Sequence, residues 1–332
     1  MKIVQIRTGI WLGLIAAVAS LLLAVSYAPV THAATANTLK VSPVRTDIET
    51  KPGASKIVQT TVTNLTDMPI TVRPTVNDFV AGDERGSPAL ILDEGKFAPS
   101  HSLKRFMAPL ADITIPARQA KTINVVITVP VDAPAGGYFG AVRFTPSAGD
   151  TGGQVNLSPS VASLVLLTVP GKMVEKVELT QFDIQQGGST GSYFFSSEDL
   201  HATVRFKNDG SVQIGPFGKV SVQKGDKVIY ETDFNNKDQR DMILPDSARI
   251  WDIPLDNIDS FGEYTVTATF TYGLKNQTIE VVKSFWVIPP ILIIIAAALL
   301  LIIIGVIVIV ILLRRRSRHR RRMMRNHQYH RR

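Results

Sequence analysis

Few side chains in this sequence are of a type and spacing that make or break bonds. Gly187-Gly188-Ser189-Thr190-Gly191 matches the G-x-S-x-G pattern, in which a strained strand-to-helix turn lifts a nucleophilic serine above a parallel sheet. Here the pattern sits in a Gln/Gly/Ser run with no helical spacing after it, so it reads as chance composition. Of six histidines, only His101 and His201 lie outside the two ends of the chain. That leaves a zinc site or a catalytic triad poorly supplied. Asp and Glu are plentiful enough for a paired-carboxylate glycan hydrolase, but spacing singles out no pair. Acidic pairs such as Asp93-Glu94 lack the spacing of a calcium loop. The residues point to no catalytic group, metal or cofactor.

Residue types suited to binding gather between Ala81 and Met107. This stretch holds Asp83-Glu84-Arg85-Gly86, Asp93-Glu94-Gly95-Lys96-Phe97 and His101 to Phe106. Long loops on a rigid scaffold concentrate recognition, although a tolerated surface insertion has the same composition. Aromatic faces with polar rims recognise glycans. On that chemistry Phe97, Lys104, Arg105 and Phe106, with Tyr138 from a nearby Gly-Gly turn, are the candidate binding residues.

The elements that position them read as strands. Ile70, Val72 and Val76 alternate with Thr71, Arg73, Thr75 and Asn77, and Ile123 to Val129 and Tyr264 to Phe270 alternate in the same way. A period of two marks half-buried strands. Val161–Val169 is nearly all apolar, as for a strand covered on both faces where domains meet. The fold class is all-β: two tandem immunoglobulin-like β-sandwiches, residues 38–170 and 171–288, plus one C-terminal transmembrane helix. A repeat supports two copies of one topology. Val62 to Asp67 corresponds to Val204 to Asp209, Ile115-Pro116 to Leu244-Pro245, and Gly137-Tyr138 to Glu263-Tyr264. The turn around Asp259 resembles a tyrosine corner, in which a phenol bonds back to the backbone. The first copy carries about 18 extra residues, which fall between Ala81 and Met107. Leu244-Pro245-Asp246-Ser247-Ala248, similar to a sortase signal, is explained by the repeat as a strand entry. Asn64, Asn156 and Asn276 begin glycosylation sequons.

Both ends are hydrophobic. Residues 1–33 read as a secretory signal: Lys2 and Arg7, an apolar Ile10 to Val25, and Thr31-His32-Ala33 before the cleavage point. Ile291 to Leu313 is uncharged and long enough to cross about 30 Å of hydrocarbon as a helix. The tail, 314–332, holds ten arginines and no acid, so Arg314, Arg315, Arg316 and Arg318 mark the cytoplasmic side and anchor the span. The formal charge of +8 becomes −4 once those ten arginines, Lys2 and Arg7 are set aside. The external part is thus mildly acidic, and no nucleic-acid partner is expected. With no cysteine, its stability comes from ordinary cores.

These residues resemble the WxL-interacting proteins of Gram-positive cell surfaces. The likeness lies in Val41-Ser42-Pro43-Val44-Arg45, Lys51-Pro52-Gly53-Ala54-Ser55, Val129 to Ala133 through Gly136-Gly137-Tyr138-Phe139-Gly140, Phe206 to Gly210 and Gly215 to Gly218. The order of signal, two β-domains, span and basic tail is also similar. Phe106 stands where that family would have a Trp. The resemblance implies a first domain that binds peptidoglycan and a second that binds a WxL-type surface protein or host matrix protein. The expectation is therefore a non-enzymatic, membrane-anchored extracellular protein that binds cell-wall glycan or a surface protein. The alternative is a structural or adhesion subunit recruiting partners by β-strand addition, and an extracellular glycan hydrolase comes third.

Overall fold

The computed structural model describes residues 38–147 and 159–329. The signal expected at 1–33 and the sequon at Asn156 lie outside the described residues. Alternation along the strands builds two sandwiches. In the first, β1 (Leu39–Ser42), β3 (Ser55–Asn64) and β7 (Ala120–Thr128) form a sheet in the order β1-β3-β7. It packs on a sheet ordered β2 (Arg45–Glu49), β9 (Val161–Val169), β8 (Gly136–Pro146), β4 (Ile70–Ala81) and β5 (Pro88–Leu90), with β6 (Ile113–Ile115) also on β4. Val58, Val62, Val125 and Ile127 from one sheet meet Val72, Val142, Phe144, Val165 and Leu167 from the other. The core is mainly aliphatic. Each such side chain, fully buried, contributes roughly 1.5–3 kcal/mol.

The second sandwich pairs a sheet β11 (Ser189–Thr190), β10 (Val177–Gln186), β13 (Leu200–Asn208), β16 (Ser247–Pro254) with a sheet β12 (Tyr193–Phe194), β18 (Gln277–Val287), β17 (Gly262–Tyr272), β14 (Phe217–Lys224), β15 (Lys227–Phe234). Its centre is aromatic: Phe206, Phe234, Phe270 and Trp251 have ring centroids 4.9–6.2 Å apart. Gly187 and Gly188, both at positive φ, form the two-residue turn between β10 and β11. Two consecutive positive φ angles match strand twist in such hairpins, which explains this glycine pair structurally. Ser189 therefore lies in a strand, without the strand-to-helix turn of a nucleophile elbow.

The repeat in sequence corresponds to a repeat in bonding. Tyr264 Oη donates to Asp259 O at 3.1 Å, and Tyr138 Oη to Pro134 O at 2.8 Å. Asn64 and Asn208 are both fully buried. Asn64 Nδ2 donates to Met68 O and Ile115 O while its Oδ1 accepts from Thr66 N. Asn208 Nδ2 donates to Val212 O and Ile243 O while its Oδ1 accepts from Gly210 N. Burial and these bonds leave the Asn64 amide inaccessible to a glycosylating enzyme.

Beyond β18 the chain forms α1 (Pro290–Tyr329), one continuous helix. Proline at the first helical position loses no intrahelical hydrogen bond. Pro290–Arg316 is long and apolar enough to cross a membrane, and none of it is buried against protein. The helix runs past the expected end at Leu313 through the arginines, which are good helix formers with no glycine or proline among them.

Candidate functional site: a capped loop and an open strand edge

The 81–107 insertion divides into two parts with different contacts. The first part continues β4 into a hairpin with β5, Phe79 opposite Leu90 and Ala81 opposite Pro88. Its tip reaches the second sandwich. Arg205 grips the Glu84 carboxylate through Nε at 2.8 Å and Nη2 at 2.5 Å, Ile250 N donates to Glu84 O at 2.7 Å, and Arg85 pairs with Asp252. The Arg205 guanidinium holds the Glu84 carboxyl below its usual range. At Asp252 burial works to raise the pKa, but hydrogen bonds from Arg85 and Thr203 outweigh it and the net shift is downward. Beneath the tip, Phe79, Phe139, Ala141 and Leu166 pack with Leu164, Met242 and Leu244. This places β9 at the junction of the sandwiches, as its apolar run implies. Glu84 and Arg85 are thus occupied in holding the domains together.

The second part, from Asp93 to Met107, is folded around Asp78 at the end of β4. That carboxylate is fully buried and accepts from Ala98 N at 2.8 Å, Ser102 Oγ at 2.6 Å and Lys104 N at 2.8 Å. A buried carboxylate needs such donors to offset lost hydration. Leu103, with no exposure, plugs the core, and Gly140 lies against it where an added Cβ would sit 3.0 Å from Leu103 Cβ. Phe139 N donates to His101 O at 2.8 Å, and His101 Nδ1 lies 2.6 Å from Gly137 O.

On this frame the five sequence candidates form one ridge. Lys104 Nζ lies 5.0 Å and the Arg105 guanidinium 4.7 Å from the centroid of the Phe97 ring, which is 45% exposed. Lys104 Nζ also donates to Glu94 O at 2.6 Å and Lys96 O at 3.0 Å. Phe106 packs on Tyr138 with centroids 4.8 Å apart, and burial pushes the Tyr138 phenol up from its usual pKa. A groove of about 460 Å³ on one side is lined by His101, Arg105, Phe106, Asp132, Pro134 and Tyr138. Another of about 520 Å³ on the other side runs between Phe97, Lys104, Met107, Leu110 and the edge of β4 from Arg73 to Val76. The cation–π contacts and the Phe106–Tyr138 packing engage the rings with protein, so sugar stacking would compete with contacts already made. Pro74 interrupts the donors of the β4 edge, which blunts it against an incoming strand.

β18 is different. β12 pairs with it only at Trp286 and Val287, and among the described residues Gln277–Phe285 has no strand on its outer side. Trp286 N and Ile288 N donate outward to Ser192 O and Phe194 O, each at 2.8 Å. Backbone direction alternates along an antiparallel strand, so Thr278, Glu280, Val282 and Ser284 turn their N–H and C=O groups to the same open side. Val282 is 56% exposed. Sequence reasoning did not locate this edge, nor Asp78. A hint for Asp78 lay in a lone carboxylate at the apolar end of β4, beside Phe79, Val80 and Ala81.

Among the described residues no cluster of His, Asp and Glu could hold a metal ion. His101 and His201 belong to different sandwiches, and His201 Nδ1 lies 3.6 Å from its neighbour Asp199. Asp47, Asp67 and Asp93 pair locally with Arg45, Arg118 and Lys96.

No family model matches the chain, and no curated protein matches it. Solved structures with partial similarity include the class 5 fimbriae chaperone CfaA, 13% identical over 74% of this chain and 98% of that one at a TM-score of 0.38. The chaperone DraB of E. coli is 16% identical over 75% and 96% at 0.33, and the SafB chaperone of Salmonella enterica, in complex with the SafA pilin, is 12% identical over 75% and 95% at 0.35. At such scores the functional reading rests on this chain's own geometry: two β-sandwiches, one helix able to span a bilayer, a capped loop and an open edge.

Proposed function

We propose that this chain is an exported, non-enzymatic protein, held by one membrane span with both sandwiches outside the cytoplasm, that recruits a partner protein by strand addition along β18. The observation that supports this is the unpaired outer side of Gln277–Phe285. An extended segment laid there would gain hydrogen bonds to the outward N–H and C=O groups that no strand of this chain pairs. Arg314, Arg315, Arg316 and Arg318 after the apolar stretch favour a cytoplasmic tail. The resemblance to WxL-interacting proteins makes a WxL-type surface protein the first partner to try. A photo-crosslinking residue at Val282 in cells should give an adduct with one protein. Val282→Pro removes one outward donor without touching the β17 ladder, and should abolish capture of that same protein. Unchanged capture by Val282→Pro, or adducts only from Arg105 and Phe106, would overturn the reading.

The grooves beside the ridge favour a second reading, in which the first sandwich binds cell-wall glycan through Phe97, Lys104, Arg105, Phe106 and Tyr138. Retention of the external part on purified cell wall, lost on Arg105→Ala and Phe106→Ala, is the expected result. No retention would remove this reading and leave the first standing.

A further inference from the structure

Four aromatic side chains outside α1 are strongly exposed among the described residues, and three of them sit at one end of the second sandwich. Tyr193 is 67%, Phe195 59% and Phe261 50% exposed, whereas Phe97 belongs to the other sandwich. The hydrogen-bond register shows why they share a level. Tyr193 and Phe194 run parallel to Trp286 and Val287, and Gly262, which follows Phe261, lies opposite Val287. Lys224 closes the same end by donating from Nζ to Phe261 O at 3.0 Å and to Asp259 Oδ2 at 2.9 Å.

The span begins almost immediately. β18 ends at Val287 and α1 starts at Pro290. The four residue-to-residue steps from Val287 to Ile291 reach at most roughly 14 Å even fully extended. The headgroup layer outside the hydrocarbon is about 5–8 Å deep, so these aromatics cannot stand far above it once the helix is inserted. Amphipathic rings at this depth are favoured on both sides of a bilayer. The shape of the junction thus identifies the occupant of the patch through chain continuity.

We propose that the loops carrying Tyr193, Phe195 and Phe261 rest in the interfacial layer of the membrane that α1 crosses, so that the second sandwich is seated on the bilayer. Glu198, Asp199, Asp226, Asp256, Asp259 and Glu263 outnumber Lys224 and Lys227 in the segments at this end. The contact is therefore driven by apolar burial, and anionic lipid is not required. This proposal is independent of partner capture by β18.

The chain contains no cysteine, so single-cysteine variants can be labelled uniquely. The full chain, reconstituted in phosphatidylcholine vesicles, would carry a nitroxide at Phe195→Cys, at Phe261→Cys or at Leu274→Cys. Leu274 is 79% exposed in the β17–β18 turn, at the opposite end of that hairpin of two eleven-residue strands. Labels at 195 and 261 should show a ratio of oxygen to water-soluble nickel accessibility several-fold above the label at 274, unchanged by molar salt or by phosphatidylglycerol. In a Phe195→Ser, Phe261→Ser double variant, a label at Tyr193→Cys should move to the water-like value. Water-like ratios at both 195 and 261, or a ratio that collapses in salt, would overturn the proposal.

Discussion

In the first sandwich a buried amide, Asn64, ties the turn after β3 to the strand entry at Ile115; in the second, Asn208 does the same for the turn after β13 and Ile243. The two copies then diverge in what they build upon that common brace. The first has a mostly aliphatic core and spends its insertion on a domain clamp and an Asp78-centred cap. The second packs four aromatic rings together, lacks the insertion and leaves β18 open. The difference teaches that one topology can cover a strand edge with an insertion or leave it bare. Where an insertion wraps the sheet, as Met107 bridges to Ile127 and Ala108 N bonds to Val126 O, the edge is partly closed. Where none does, the edge remains available.

The largest effect should come from the shared brace. Asn208→Ala strands two buried carbonyls and one N–H and leaves a small void, for a loss of about 3 kcal/mol. Asn64→Ala should cost less, because only one of its donated bonds is wholly buried. Urea unfolding of residues 38–288 measures both. Equal losses would mean that the two braces are equivalent although their donated bonds differ in burial.

Next in size is Asp78→Ala, which should loosen residues 98–104 by about 2 kcal/mol of local stability. Hydrogen exchange should speed up at Ala98 and Lys104 while β17 stays protected. Faster exchange in both sandwiches would show that the cap supports more than its own domain.

The smallest effect is expected at the clamp. Glu84→Gln breaks a half-exposed ion pair and, with solvent screening allowed for, should cost about 1 kcal/mol or less. Because the folded Glu84 and Asp252 carboxyls titrate below their ordinary values, their contribution is present above the unfolded carboxylate range near pH 4. It is lost as pH falls through the lower folded values. Acidification should therefore resolve the calorimetric unfolding into two transitions, one for each sandwich, and Glu84→Gln should reduce that pH dependence. Failure of the variant to change the pH profile would assign the pH dependence to the Arg85–Asp252 pair instead.

Much of the architecture was legible from residue order. Tyr264, Val266, Ala268 and Phe270 announce one buried face of β17, and the tyrosine corner at Asp259 follows from a turn five residues upstream. The candidate site was legible in part. Phe97, Lys104, Arg105 and Phe106 lie close in sequence, and a loop of that composition brings such residues together. That Tyr138 would pack on Phe106 followed only from the path of β8 beneath the loop. The role of Glu84 was hidden, since its partner Arg205 is 121 positions away and charged pairs are common in any loop.

The sequence alone determined the all-β class, the repeat and the C-terminal helix long and apolar enough to cross a membrane. Side-chain alternation and the saturation of backbone groups in lipid are local properties, settled by neighbours along the chain. Tertiary structure decided which strand edge stays open, which half of the insertion clamps the domains and which exposed aromatics gather at one end of the second sandwich. Those depend on pairing partners distant in the chain, and an unpaired N–H on β18 is defined only once every other strand has taken its place.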